Sequence, residues 1–184
     1  MKLEVKISNR HVHLTKEDYK LLFGDEEISK RNDLSQPGEF ATNQIVTIKT
    51  SKNVLTNVRL IGPLRDYTQV EISKTDAYVL GINPPVRNSG DLTDASEITI
   101  AGPLGEITRN ACIIATRHIH ITKEEQEKLN LGETVKVKTF GEKSTIFNNV
   151  SIRVSDNYYY ELHLDTDDGN AAMLKQGDIV EIIE

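Results

Sequence analysis

The sequence predicts a mainly β protein: two small β-barrel domains related by internal duplication, with short capping helices. Three observations carry that reading. Short segments rich in Val, Ile and Thr recur along the chain, separated by turn residues such as "SKN", "GEK" and "SDN". The stretch "SNRHVHLTKED" at 8–18 returns almost unchanged as "ATRHIHITKEE" at 115–125. A second similarity joins "NVRLIGPLRDYTQVEISKTDA", from Asn57, to "NVSIRVSDNYYYELHLDTDDGNA", from Asn149.

Strands are expected at residues 3–7, 45–49, 57–61, 68–72, 97–101, 111–115, 134–138, 150–154, 161–164 and 179–183. By pattern alone they suit small barrels or sandwiches. Thr15-Lys-Glu-Asp18 and Thr122-Lys-Glu-Glu125 read as capping boxes, each opening a helix of about two to three turns that ends at Gly24 or near Gly132. Further short helices are expected in "SKTDAYVLG" and "DTDDGNAAMLKQG". With the two Asn-Val pairs in register the offset is 92 residues, which places Glu71 on His163 and Asp76 on Asp168. The His-x-His pairs are offset by 107, so the first copy carries extra loop after Gly24.

Composition removes several function classes. The formal net charge is -6 and no basic run stands out, which argues against nucleic acid as a partner. No apolar run approaches the roughly 18 residues of a membrane span. The N-terminus lacks the apolar core of a signal peptide. Cys112 is the one cysteine, which excludes an intrachain disulfide and a thiolate zinc cluster. A cytoplasmic protein is expected.

The five histidines, His11, His13, His118, His120 and His163, all fall inside the repeat. Residues i and i+2 of a strand point the same way, so each His-x-His presents two imidazoles on one face, a bidentate arrangement for zinc or another borderline metal. The repeat register adds Glu71 to one half and His163 to the other. Six candidate metal ligands result. A lone His-x-His is more often structural; its duplication, with no histidine elsewhere, weighs against that here. Glu17 and Glu124 give a spacing close to the cupin motif. Both follow a Thr N-cap, however, and belong on the solvent side of a helix start, where acids are favourable.

Arg10 and Arg117 precede the His pairs and should face away from the imidazoles, as structural salt bridges. Arg65, in a Pro-bearing turn six residues before Glu71, is placed to hold a phosphate by bidentate bonds. Arg87 and Ser89 lie in a Pro- and Gly-rich loop and could contact an anion or cap a turn. Arg153 is ambiguous in the same way. Cys112, in apolar "NACIIAT" without a cationic neighbour, reads as inert core.

The chain resembles the PduL-type phosphotransacylases, or phosphate propanoyltransferases. The matching segments are "ISNRHVHL", "GEFA", "IGPLRDYTQVEISKTDA", "RNSGD", "ATRHIHIT" and "ELHLDTDDGNAA", in the family's order over nearly the whole chain. The resemblance implies a phosphate acyltransferase: acyl-CoA plus inorganic phosphate, reversibly, to acyl phosphate plus coenzyme A. It implies two Zn2+ per chain between two β-barrels, with His11, His13, Glu71, His118, His120 and His163 as ligands. Arg65 becomes the catalytic phosphate clamp, and Gln69, Ser89 and Arg153 the other substrate-binding positions. It implies barrels that exchange chain, with residues 1–48 joining 116–184 and 49–115 forming the second barrel. A homo-oligomer, a dimer first, is expected. Glu39 and Gly169 depart from the family pattern without being proposed ligands. The amphipathic extension of microcompartment members is not seen before the first strand.

The reaction needs a polyanion held beside a carbonyl, which two metals and Arg65 suit. With no nucleophile motif, direct transfer in a ternary complex is favoured over an acyl-enzyme. Two rival readings share these residues: a zinc hydrolase of a phosphate ester or amide, which would not need coenzyme A, and a non-catalytic metal-binding barrel with closed coordination. The single CH2 that separates acetyl from propanoyl contributes only about 0.8 kcal/mol, and no assigned residue lines an acyl pocket.

Overall fold

The computed structural model describes residues 1–157 and 159–183, and among them are fourteen strands and four short helices. In the first half these are β1 (Lys2–Ser8), β2 (His11–His13), α1 (Lys16–Phe23), β3 (Lys30–Asp33), β4 (Phe40–Lys49), β5 (Val54–Gly62), β6 (Gln69–Glu71), α2 (Lys74–Leu80), β7 (Val86–Arg87), β8 (Ser96–Ala101) and β9 (Glu106–Ala115). The second half contains β10 (His118–Ile121), α3 (Lys123–Lys128), β11 (Thr134–Lys138), β12 (Ile146–Val154), β13 (Glu161–Asp165), α4 (Thr166–Ala171) and β14 (Ile179–Ile183).

Two six-stranded barrels close from these strands. One, the internal barrel, runs β2-β5-β4-β8-β9-β6 and back to β2, with β3 added on β4 and β7 on β9. It belongs to a compact unit spanning Arg10–Ala115. The other, the terminal barrel, runs β10-β12-β11-β14-β1-β13 and closes on β10. Its unit is Met1–Asn9 with Thr116–Glu184. Strand senses match step for step. β2 lies parallel to β5 and antiparallel to β6, as β10 does to β12 and β13; β9 is parallel to β6 as β1 is to β13.

The first boundary therefore falls after Asn9 and not at residue 48. The reason is hydrogen bonding. β4 pairs with β5 and β8, and β2 with β5 and β6, so residues 10–48 complete the internal barrel. Only β1 crosses over, pairing with β13 and β14. β9 occupies the equivalent place in the internal barrel: Ile113 faces Glu71 there as Lys6 faces His163 in the other.

Local chemistry explains the elements. The alternation of β1 buries Leu3 and Val5, which join Ile119, Leu162 and Val180 in the terminal core. The internal core collects Val12, Leu14, Val46, Ile48, Leu60 and Val70. Each helix has an oxygen-bearing N-cap, Thr15, Ser73, Thr122 or Asp165, that accepts the backbone N–H three residues on. At Thr122 the full capping box with Glu125 is present. A Cβ on Gly169 would stand 2.9 Å from Ile7 Cδ1, so α4 and β1 pack closely there.

Arg10 and Arg117 form matching clasps. Arg10 donates from Nε and Nη2 to Asp76 Oδ1 at 3.0 and 2.8 Å, and Arg117 donates from Nε to Asp168 Oδ2 at 2.9 Å. Each acid sits in the first turn of the helix that follows the strand of the third candidate ligand. The clasp thus ties the entry of a His-x-His strand to the exit of its neighbour. The Asp76 side chain is 7% exposed, whereas Asp168 is 19% and Arg117 38% exposed. Charge-assisted bonds are worth about 1.5–3 kcal/mol when shielded and about 0–1 when solvated. Asp76→Ala should therefore lower the unfolding free energy in urea by about 2–3 kcal/mol and Asp168→Ala by about 1; equal losses would contradict the difference in shielding.

Candidate functional site

In the internal barrel, β2 and β6 are antiparallel neighbours with His11 opposite Glu71 and His13 opposite Gln69. One face of this two-strand ladder therefore carries four polar side chains. Ligand atoms of His11, His13 and Glu71 lie within 4.8 Å of one another, and this group could hold a metal ion. His11 Nε2 is 3.5 Å from Glu71 Oε2. Nδ1 of His13 is 3.2 Å from the carbonyl oxygen of Ile61, so an Nδ1–H tautomer leaves the Nε2 lone pair available. Burial, then the neighbouring His11 and Arg65, hold the pKa of His13 well below that of a free imidazole. Two imidazoles and a carboxylate, one imidazole kept neutral, are a donor set that fits zinc or another borderline divalent cation.

The terminal barrel repeats the ladder on β10 and β13, with His118 opposite His163 and His120 opposite Glu161. The three rings are in contact, their centroids 4.8 Å apart for His118–His120, 5.0 Å for His118–His163 and 4.4 Å for His120–His163. Nδ1 of His118 is 2.8 Å from the carbonyl oxygen of Thr116. Burial, then Arg153 and His163, push the His118 pKa well down. Burial, His163 and Arg153 take His120 down to about 3. At neutral pH both rings are uncharged, the form in which imidazole binds a metal. Arg153 is on β12, directly across from His120.

The other predicted residues of the internal barrel form one hydrogen-bonded run. Gln69 Nε2 donates to Glu71 Oε1 at 2.6 Å and to Ser89 Oγ at 2.8 Å, and its Oε1 accepts from the N–H of Gly90 at 2.7 Å. Arg65 Nη1 donates to Tyr67 Oη at 2.6 Å and stands 3.5 Å from Ser89 Oγ. Arg65 Nη2 donates to Glu39 Oε1 at 2.6 Å. Glu39 is thus a direct partner of the predicted phosphate clamp. Sequence reasoning noticed Glu39 without giving it a contact, because the loop that carries it is distant along the chain. Tyr67 and Gly90 were passed over for want of any spacing signal. Arg87 instead caps its own turn, donating to the carbonyl of Thr93 at 3.0 Å. Glu17 and Glu124 are exposed in the first turns of α1 and α3, and neither is in the His11–His13–Glu71 group.

Comparison with known proteins agrees over most of the length. The profile of the family described as phosphate propanoyltransferase matches residues 4–175. The phosphate propanoyltransferase of Thermotoga maritima is 46% identical over 98% of this chain and 88% of its own. That of Rhodopseudomonas palustris is 43% identical over 97% of this chain and 80% of its own. That of Salmonella typhimurium is 45% identical over 90% of this chain and 81% of its own. Among the described residues no helix is long and apolar enough to cross a membrane.

Cys112 is fully buried on β9, and burial, then the nearby Asp76, raises its thiol to about 12. A thiol so protonated is a poor nucleophile. In native protein Cys112 should therefore resist a disulfide reagent such as Ellman's reagent, and should react fully once guanidinium unfolds the chain. Rapid stoichiometric labelling of the native form would contradict this placement.

Proposed function

The chain belongs to the phosphate propanoyltransferase family, and on that premise we propose that it moves a short acyl group, propanoyl or acetyl, reversibly between coenzyme A and inorganic phosphate, with one zinc ion held by each barrel. His11, His13 and Glu71 are the proposed ligands in the internal barrel, and His118, His120 and His163 in the terminal one. When bound, the cations supply positive charge that neutralises phosphate oxygens and polarises a coordinated oxygen.

The chain's own residues have definable tasks. In one direction the coenzyme A sulfur bonds to the acyl carbon of an acyl phosphate. The carbon–oxygen bond to phosphate breaks, and phosphate departs with the electron pair. The thiol proton passes to solvent or to the departing phosphate. The reverse needs phosphate held as the nucleophile. Arg65 is the proposed clamp, since a guanidinium offers parallel N–H groups to two oxygens of an anion. Tyr67 and Glu39 hold its two edges, so the fork is oriented before an anion arrives. Ser89 and Gln69 link that fork to the ligand Glu71. Arg153, beside the terminal imidazoles, is a second proposed contact for phosphate. The buried, protonated Cys112 supports direct transfer over a cysteine acyl-enzyme.

The observation that carries this reading is the unbroken run from the His11–His13–Glu71 cluster through Gln69 and Ser89 to Arg65. A candidate metal group and an anion-binding side chain are joined within one barrel. A coenzyme A-dependent acyl phosphate assay, run with metal analysis, tests it. Acyl phosphate turnover that proceeds equally without coenzyme A would favour a hydrolase.

The residue assignments have their own checks. His11→Ala, His120→Ala and His163→Ala should each lose bound zinc together with activity. Glu17→Ala and Glu124→Ala should keep the metal and cost only about 0.3–1 kcal/mol of stability as helix-start charges; zinc loss in either would overturn the ligand set. Arg65→Lys retains charge without the fork. It should slow turnover about ten- to a hundred-fold, the equivalent of one charge-assisted hydrogen bond of about 1.5–3 kcal/mol. Arg65→Ala should be slower still, with zinc retained. The defect should appear in kcat or in the KM for phosphate; normal phosphate kinetics with weakened coenzyme A binding would move Arg65 to another role.

A further inference from the structure

Among the described residues the largest fully buried side chains are leucines and isoleucines, with the exception of Gln69 on β6. An amide in such a place is costly unless its polar atoms are bonded. Here they are. Gln69 Nε2 donates to Glu71 Oε1 at 2.6 Å and to Ser89 Oγ at 2.8 Å, and Gln69 Oε1 accepts the N–H of Gly90 at 2.7 Å. These partners fix which way the amide points. A backbone N–H can only donate, so it requires the carbonyl oxygen. An ionised carboxylate can only accept, so it requires the amino group. The flipped amide would set donor against donor and acceptor against acceptor.

A turn builds the cradle for this amide. The N–H of Asp91 donates to the carbonyl of Asn88 at 2.9 Å, and Gly90, the third residue of the turn, has a φ of 96°. Glycine is the unstrained choice at such a φ, as in the third position of a type II turn. Ser89 Oγ and the Gly90 N–H thereby meet the same amide. Residues two apart on β6 share a face, so the amide held by the turn reaches Glu71 and takes one of its oxygens. The other oxygen, Oε2, stands 3.5 Å from His11 Nε2. One oxygen of Glu71 is thus committed to the amide and the other lies beside a candidate ligand.

We propose that Gln69 is a positioning residue for metal binding in the internal barrel: held by the Asn88–Asp91 turn, it pins Glu71 Oε1 and leaves Oε2, the oxygen beside His11, for the cation. This rests on the reading that His11, His13 and Glu71 hold a metal. The family resemblance places Gln69 among substrate-binding positions; in the role proposed here it acts on substrate only through Glu71. Hydrogen-bonded partners of metal ligands change metal affinity by about 10- to 100-fold when removed.

The test uses the full chain carrying His118→Ala and His163→Ala, so that the internal set is the one measured. Zinc affinity is read by competition with chromophoric chelators of graded strength. Gln69→Met keeps the length of the side chain without its hydrogen bonds and should weaken zinc about 10- to 100-fold. A residue that acts through Glu71 has nothing to act on once Glu71 is gone. In a Glu71→Ala background, Gln69→Met should therefore change zinc affinity by less than about twofold. An amide that merely filled the core would cost the same in both backgrounds, and that additive outcome overturns the proposal. Unchanged zinc affinity in Gln69→Met overturns it too; a raised KM for phosphate in the chain with its terminal histidines intact would then return Gln69 to direct substrate contact. Should Gln69→Met fail to fold, Gln69→Asn, which keeps a polar amide and shortens its reach, carries the same expectations. Full zinc affinity in Glu71→Ala would instead overturn the metal reading on which the proposal rests.

Discussion

An antiparallel pair of short strands, entered through an arginine clasp, sets the position of every candidate ligand. On such a pair, directly opposed residues have Cβ atoms about 4.5–5.5 Å apart and alternate residues share a face. Four side chains on that face are therefore close enough to share one cation or one proton. The register places His11 across from Glu71, and His118 across from His163. A slip of one residue would turn both histidines of a strand to the opposite face. The Arg10–Asp76 and Arg117–Asp168 pairs resist that slip, because each binds the residue just before the first histidine to a helix anchored on the partner strand.

The two ladders share geometry and differ in charge. The internal one offers two imidazoles and a carboxylate, with Arg65 close enough to disfavour protonation of His13. The terminal one offers three imidazoles, with Arg153 and the pair of buried Glu161 with half-buried Lys6 around them. Desolvation is the leading influence on the lowered His13, His118 and His120 pKa values. A buried neutral imidazole keeps its lone pair for a Lewis acid, and in the absence of one that lone pair is poorly solvated. The two barrels thus share a scaffold on which different side chains and local charges are displayed.

Much of this was legible in the sequence. Period-two histidines, threonine N-caps and a repeat with matching acids are local signals, and local geometry determines them. The duplication also identified Arg10 and Arg117 as salt-bridge formers, since a strand residue adjacent to an inward histidine must point outward. What escaped was non-local. The pairing partner of β4 is decided by closure of a barrel, which no window of residues 40–49 reveals, so 10–48 were assigned to the wrong domain. β3 is an exposed edge of polar residues and β7 has two residues, too little for any pattern. Glu39 meets Arg65 across twenty-six positions of chain.

The exchange of β1 has a consequence for biosynthesis. The internal barrel is a contiguous stretch and can close as soon as β9 has left the ribosome. The terminal barrel cannot. Its strand β1 is made before the internal barrel, yet the partners of β1, β13 and β14, emerge after that barrel. Through most of translation β1 is therefore an orphan edge carrying apolar Leu3 and Val5, tethered to a domain that has already folded. Such a strand is an invitation to pair with other nascent chains. Its charged alternate residues, Lys2, Glu4 and Lys6, are what natural edge strands use to discourage that. One of them, Lys6, later becomes the counter-ion of Glu161, so the same ammonium that keeps the nascent strand soluble ends beside the terminal imidazoles.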